Sequence, residues 1–343
     1  MPIAGPARSI PEDAIAAEVA AATAVSKKMS CGRKRAYLSV IAACLAAAAL
    51  CACQSSEPGR KADSESSNLK VLKPYSGNQT FSQKKVLEIL SEQKKFFDRA
   101  SLKSVSSASD TISNKRRIDS LWKQYLLENP KDVEARILCA KFQRACGDNE
   151  TAYVYFKEAD EMNPGIAVVK QQMSVYEAES GAAMEAYKHI EQAVAIEPDV
   201  SVYNLQAAQT ILFFRDEISK EENISREELD KKMMFYYRRA AELAPGDSTL
   251  QWKYAQAFYD AKNADWNEAL KQWDFVLENC VAFDVEKQTA MANKARVLIE
   301  LNRDSEAEAI LAKIDNPNLS DSKNALLAEI IQAKLQNKDD QKN

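Results

Sequence analysis

Histidine is almost missing from this chain: His189 is the only one in 343 residues. One imidazole gives no support to a Ser-His-Asp or Cys-His constellation, so an enzyme is not expected. Glycine is scarce as well, with eight residues, and none fall in the spacing of a loop that cradles phosphate. Alternating β-branched runs are rare, which argues against strands. An excess of positive charge is absent. The formal net charge is −4, and residues 1–53 hold six Lys and Arg against three Asp and Glu, a balance of +3 that leaves −7 on the rest. An acidic body argues against nucleic acid as a partner.

Cysteine is limited to seven residues, and only Cys139, Cys146 and Cys280 lie beyond residue 53. Cys139 and Cys146 stand seven apart in one apolar run. At about 1.5 Å per helical residue they are about 10 Å apart, outside the roughly 4.4–6.8 Å Cα separation of a disulfide. No metal-ligand spacing is present, and no cofactor is expected. Cys280, which reads as a loop residue, is the candidate reactive thiol. His189 precedes an apolar Ile190 on a helical pattern, which places it towards solvent.

What the chain has is a repeat. Residues 131–164 contain an apolar run to Ala145, the break Gly147-Asp148, a second run to Met162, and then Asn163-Pro164. Asn129-Pro130 stands 34 residues before that ending and Glu197-Pro198 34 after it. A triplet at spacings of four and three, which puts three side chains on one helical face, recurs six times. It reads Ile118/Trp122/Tyr125, Ala152/Phe156/Ala159, Ala186/Ile190/Ala193, Met233/Tyr237/Ala240, Ala269/Trp273/Val276 and Ala307/Leu311/Ile314, with steps of 34, 34, 47, 36 and 38 residues. Upstream of the last five stands a small residue: Ala140, Ser174, Ala208, Ala255 and Ala295. A period in this range predicts an all-α solenoid of helical hairpins.

This pattern resembles the tetratricopeptide repeat, in which a small residue in a first helix (A) meets an Ala-x-x-x-Phe pattern and a closing Pro in a second (B). The resemblance spans about residues 80–336. Arg136, Lys170 and Asn204 stand where the family has its early Trp. It implies five to six hairpins and a capping helix over residues 320–336, carrying Leu326, Leu327, Ile330, Ile331 and Leu335. It also implies a concave groove lined by the second, fifth, ninth, twelfth and thirteenth residues of each helix A. On this chain those positions include Lys141, Arg144, Gln171, Glu179, Gln209, Leu212, Phe213, Trp252, Gln256, Tyr259 and Arg296. The family's carboxylate clamp is not expected, because Ile137 and Val175 occupy two of its positions. Trp273 belongs to a triplet and is expected in the core. Trp252 and Tyr259, seven apart, are expected in the groove, where truncation would spare stability.

The N-terminal residues carry a second signal. Met29 is followed by Arg33-Lys34-Arg35, an uncharged run from Ala36 to Ala52, and Leu50-Cys51-Ala52-Cys53. A positive start, an apolar stretch and small residues before a cleavage point make a signal peptide. The ending resembles a bacterial lipobox, which implies a diacylglyceryl group on the Cys53 thiol, cleavage before it and acylation of the new amine. Met29 would then be the start, with residues 1–28 an N-terminal extension. Gln54, in place of the family's inner-membrane Asp, implies the periplasmic face of the outer membrane. Residues 54–79, rich in Ser, Lys and Glu, form a tether of 26 residues, a flexible span of roughly 28 Å.

A helix is expected from Ser82, as N-cap, to about residue 103, with Val86, Leu90 and Phe97 inward. Asp110 is the expected cap of the next, which ends at Glu128. A charged insertion, residues 215–227, reads as a surface loop or a partner-specific contact, and Ser225 to Glu228 form a capping-box pattern before the next helix. Residues 337–343 form a polar tail. The expectation is an envelope scaffold, held by acyl chains, that binds a protein segment in its groove. The alternative is a glycan-binding nutrient-capture lipoprotein using aromatic platforms.

Overall fold

The computed structural model describes residues 81–101 and 108–340. The expected lipobox cysteine Cys53, the expected signal segment and tether, and the last three residues lie outside them. The described chain is fourteen α-helices, with no strand among the described residues. They are α1 (Phe81–Ser101), α2 (Ala108–Glu128), α3 (Val133–Ala145), α4 (Asn149–Met162), α5 (Ala167–Ser180), α6 (Ala183–Ile196) and α7 (Ser201–Phe213), then α8 (Arg215–Glu222), α9 (Arg226–Leu243), α10 (Ser248–Ala257), α11 (Trp266–Asn279), α12 (Asp284–Glu300), α13 (Asp304–Leu311) and α14 (Ser320–Asp340). Six A/B hairpins follow one another: α1/α2, α3/α4, α5/α6, α7/α9, α10/α11 and α12/α13. α14 follows the last of them. This is a tetratricopeptide-like helical-hairpin solenoid.

The turns show why the helices stop where they do. Gly147 and Gly181 adopt φ of 80° and 84° between helix A and helix B of their hairpins, and Asn302 takes the same left-handed region at 57° between α12 and α13. Only a residue tolerant of positive φ closes a helix this way. Aspartates then start the following helices. Asp132, Asp148, Asp247 and Asp265 each accept a hydrogen bond from a backbone N–H of the first turn, satisfying donors with no intrahelical partner. Ser225 and Glu228 form the capping box of α9. Ser82 departs from expectation. α1 begins at Phe81, and the Ser82 hydroxyl donates to Asn129 at 3.1 Å, tying α1 to the end of α2. Asp110 likewise sits inside the first turn of α2.

All eighteen triplet residues are buried, and so are the five small residues upstream. The small residue lets helix A approach helix B, and the larger central residue fills the space beside it. Trp122, Phe156, Ile190, Tyr237, Trp273 and Leu311 are those central residues. Buried side chains form four clusters in chain order. The first joins α1, α2 and α3 around Trp122 and Phe142. The second joins α3, α4 and α5 around Phe156. The largest runs from α5 to α12, and the last holds α12, α13 and α14 around Leu311 and Ile330. Each repeat meets only its neighbours, so stability is a sum of local interfaces.

The insertion is not a loose loop, and its outward residues, among them Asp216, Glu217, Lys220, Glu221 and Glu222, are exposed. It folds as α8, whose Ile218 is fully buried in the largest cluster. Arg215 and Asp230 form an ion pair at 3.0 Å, with side chains only 8% and 4% exposed. Arg215 also donates to the Asp260 carbonyl at 3.1 Å, and Asp230 accepts from the Lys262 N–H at 2.9 Å. The pair fastens α8 to α9 and to the turn after α10. The apolar-poor sequence of residues 215–227 hid this, because what anchors the insertion is two isoleucines, Ile218 and the partly buried Ile224, and one buried charge pair.

Candidate partner-binding face

The helix-A row brings the proposed groove positions together from α3 to α12. Three contacts between successive repeats show that they are neighbours. Arg144 pairs with Glu179 at 3.0 Å across 35 residues of sequence. Gln171 donates to Gln206 at 2.7 Å across another 35. The Arg296 guanidinium sits 4.6 Å from the centre of the Tyr259 ring, within cation–π range. The first two link α3, α5 and α7, and the third links the turn after α10 to α12; they also use up several of the side chains on that row.

Exposure separates the expected site residues. Gln256 is exposed. Lys141, Arg144, Glu179, Leu212, Phe213, Trp252, Tyr259 and Arg296 are half-buried. Gln171 and Gln209 are buried, which corrects their expected place on an open groove. Gln171 is taken up by a network inside the solenoid. Gln206, which accepts its amide, donates to the Ser174 hydroxyl at 3.1 Å, and Ser174 donates to the Ala186 carbonyl of α6 at 2.8 Å. The chain ties helix A to its own helix B and to the next helix A.

Trp252 and Tyr259 also depart from expectation. Trp252 packs edge-on against Trp273 with ring centres 5.3 Å apart and planes at 85°, and its indole N–H donates to the Cys280 carbonyl at 3.3 Å. The Tyr259 hydroxyl donates to the Asn293 carbonyl at 2.9 Å, and its ring lies 6.3 Å from Trp273 and 5.9 Å from Trp266. Burial pushes the Tyr259 hydroxyl above its ordinary pKa, with Arg296 opposing. Trp252 is held within its own hairpin, α10/α11, and Tyr259 also reaches α12 of the next.

A polar cluster on α4, α5 and α6 was missed. Glu177 is buried, accepts from the Tyr153 hydroxyl at 2.8 Å, and lies 2.7 Å from Nδ1 of His189. Tyr153 stacks on Tyr176 with ring centres 4.3 Å apart. His189 is therefore not solvent-facing: its side chain is 21% exposed and is held by the carboxylate. Burial, then Glu177, raises the Tyr153 hydroxyl above its usual range. The sequence did hold a signal. Glu177 stands three residues after Ser174, where the later repeats place Ile211, Phe258 and Leu298 after their small residues. A carboxylate in that register has to find polar partners.

Burial disfavours the thiolate at all three cysteines among the described residues. Burial raises the thiols of Cys139 to about 12 and Cys146 to about 11, and raises that of Cys280 as well. Cys280 is buried, against the expectation of a reactive thiol. Among the described residues no three His, Cys, Asp or Glu stand together to hold a metal, and no helix is long and apolar enough to cross a membrane. A cavity of about 400 Å³ lies between α1 and α2, but its charged rim is closed on itself, with Glu92 paired to Arg117 and Lys95.

No family model and no curated protein matches the chain. Solved structures do. One is YrrB, a TPR protein with an unusual peptide-binding site, at 17% identity over 62% of this chain and 97% of that one, TM-score 0.46. A second is pilF of Pseudomonas aeruginosa, at 12% identity over 73% and 100%, TM-score 0.47. A third is PilW, a type IV pilus biogenesis factor, at 13% identity over 73% and 99%, TM-score 0.43. The fold assignment rests on the repeat geometry of the chain itself: six hairpins, each with a buried triplet in helix B and five of them with a small residue of helix A buried beside it.

Proposed function

We propose that this chain is a protein-binding scaffold, held in the bacterial cell envelope through a lipid on Cys53, whose helix-A face receives a segment of a protein partner. The observation that carries it is the side-by-side placement of successive helix-A residues. Arg144–Glu179 joins the second and third hairpins and Tyr259–Arg296 the fifth and sixth, with the buried Gln171–Gln206 bond tying the third to the fourth. Along that row Lys141, Phe213, Gln256 and Arg296 offer mixed apolar and polar contacts, the composition from which protein interfaces are built. The glycan alternative depends on open aromatic platforms. Trp252 spends its ring on Trp273, and Tyr259 has one face under Arg296, so a protein segment fits better. Assistance to envelope assembly is the finer role we assign, at the periplasmic side of the outer membrane.

A photo-crosslinking residue at Gln256 tests the face in cells of the source organism. It should capture a discrete protein, and the same residue at Lys188, exposed on helix B, should not. Equal capture at both, or a glycan array that gives strong hits while Gln256 captures nothing, overturns the reading. Cys53→Ala tests the anchor separately: the protein should leave the membrane fraction and lose its acyl mass. Acylation that persists in this variant refutes the lipobox assignment.

A further inference from the structure

We infer that α14 is the seat of an antiparallel two-fold contact between two copies of this chain. In a solenoid the terminal helix closes the core with its inner face and turns a polar face to water. α14 does the first through Ile330, fully buried between α12 and α13, with Leu326 packed beside it. It does the second only in part, with Asn324, Glu329, Gln332 and Gln336 exposed beside an apolar stripe. Ile331 is 56% exposed and Leu335 58% exposed, and half-buried Leu327 adjoins them. Spacings of four and four put these three in one stripe along the helix. In every hairpin helix A packs against a helix B. α14 stands in the next helix-A place, and no described helix covers its far side.

The occupant follows from the symmetry of the stripe. It reads the same in both directions from Ile331, with a leucine four residues before and a leucine four after. An antiparallel two-fold axis through Ile331 therefore sets Ile331 against itself and Leu327 against Leu335 of the other copy, as an isologous interface requires. Charge permits it. Between Asn324 and Gln336 the only charged residues are Glu329 and Lys334. Glu329 is two residues from Ile331, about 200° around the helix and so near the opposite side. Lys334 is neutralised by Glu308 of α13 at 2.7 Å. Ala328 and Gln332 flank the stripe without charge, so no like charges meet across the axis. A single helix pair buries less than the roughly 1,200 Å² of a stable interface, so the contact is weak and depends on concentration.

Disulfide trapping in the full chain, expressed in cells and treated with a permeant oxidant, tests this. Ile331→Cys should link to itself, with the linked peptides identified by mass spectrometry against the parent chain's background. Leu327→Cys and Leu335→Cys, co-expressed as two tagged copies, should link to each other and not to themselves. In the antiparallel pair the two copies of residue 327 lie eight residues apart, about 12 Å along the axis. Ile331→Lys in that background should lower the yield at least ten-fold while leaving the helical signal and melting temperature of the purified chain unchanged. Self-linking of Leu327→Cys alone would show a parallel contact and overturn the assignment. No linkage at all, or linkage that Ile331→Lys leaves intact, would overturn it too.

Discussion

Removing the Arg215 side chain should destabilise the protein far more than its place in a charged insertion suggests. The guanidinium lies 3.0 Å from Asp230, and both side chains are nearly closed to water. Burial disfavours the charge on Arg215, and Asp230 supports it. Arg215→Ala leaves the Asp230 carboxylate buried with the Lys262 N–H at 2.9 Å and the largely exposed Arg226 at 3.8 Å. Breaking a buried pair from one side costs about 3–5 kcal/mol, and the two remaining donors reduce this to about 2–4. Replacing both partners together, as Arg215→Met with Asp230→Leu, removes the stranded charge and should bring stability back to within about 1–2 kcal/mol of the parent. Urea unfolding followed by helical circular dichroism gives these differences. Hydrogen exchange should place the loosening of Arg215→Ala in α8, the start of α9 and the turn after α10, because solenoid interfaces are local. A loss below about 1 kcal/mol for Arg215→Ala, or a double variant no better than the single one, would refute the idea that this pair anchors the insertion.

Trp273→Ala should cost about 3–5 kcal/mol as a fully buried aromatic. Trp252→Ala should cost about 2–3 kcal/mol from partial burial, its edge-on contact and its hydrogen bond, with a coupling of about 0.5–1.5 kcal/mol in the double variant; a Trp252→Ala melt equal to the parent's would return that residue to the open face. Burial raises the hydroxyl of Tyr125 to about 12 and pushes Tyr153, Tyr236 and Tyr254 higher still, each helped by a carboxylate acceptor. Their folded values exceed the unfolded value of about 10, so stability should be intact below pH about 10 and fall as pH rises beyond it. Tyrosinate absorbance should then rise in a late step together with loss of helix, whereas a smooth titration of all twelve tyrosines near pH 10 would contradict this.

The fold was legible because its signal is repetitive. One buried triplet would mean little, but six in register with five small residues constrain the chain at each hairpin, and every one of them is buried. Turn chemistry added the Gly147-Asp148 break at an A-to-B turn and Ser225 with Glu228 at α9. Features that depend on a single polar residue in an apolar register were not legible in the same way. Glu177 reads as one acidic residue among many until its spacing from Ser174 is compared with the other repeats. Arg215 and Asp230, fifteen residues apart, give no periodic sign that they meet. Ser82 has the composition of an N-cap but lies inside α1, where its hydroxyl reaches Asn129.

The proposed partner-binding face was half legible, and the reason bears on how it would work. Helix-A positions that face a groove in one repeat also face the helix A of the next repeat. A long side chain there reaches sideways before it reaches a ligand. Arg144 and Glu179, Gln171 and Gln206, and Tyr259 and Arg296 all do so. These are modest contacts: a half-exposed ion pair contributes about 0–1 kcal/mol, and a cation–π contact about 0.5–2. A partner that offers a carboxylate to Arg144 or Arg296, or an amide to Glu179, can therefore replace a neighbour at little cost. Gln171 is different, because its hydrogen bond belongs to a buried network that runs through Gln206 and Ser174 to the Ala186 backbone. Breaking it leaves desolvated amides without partners, which costs about 1–3 kcal/mol each. The exchangeable pairs at the two ends of the face, and not the fixed amides at its centre, are where a bound segment gains most.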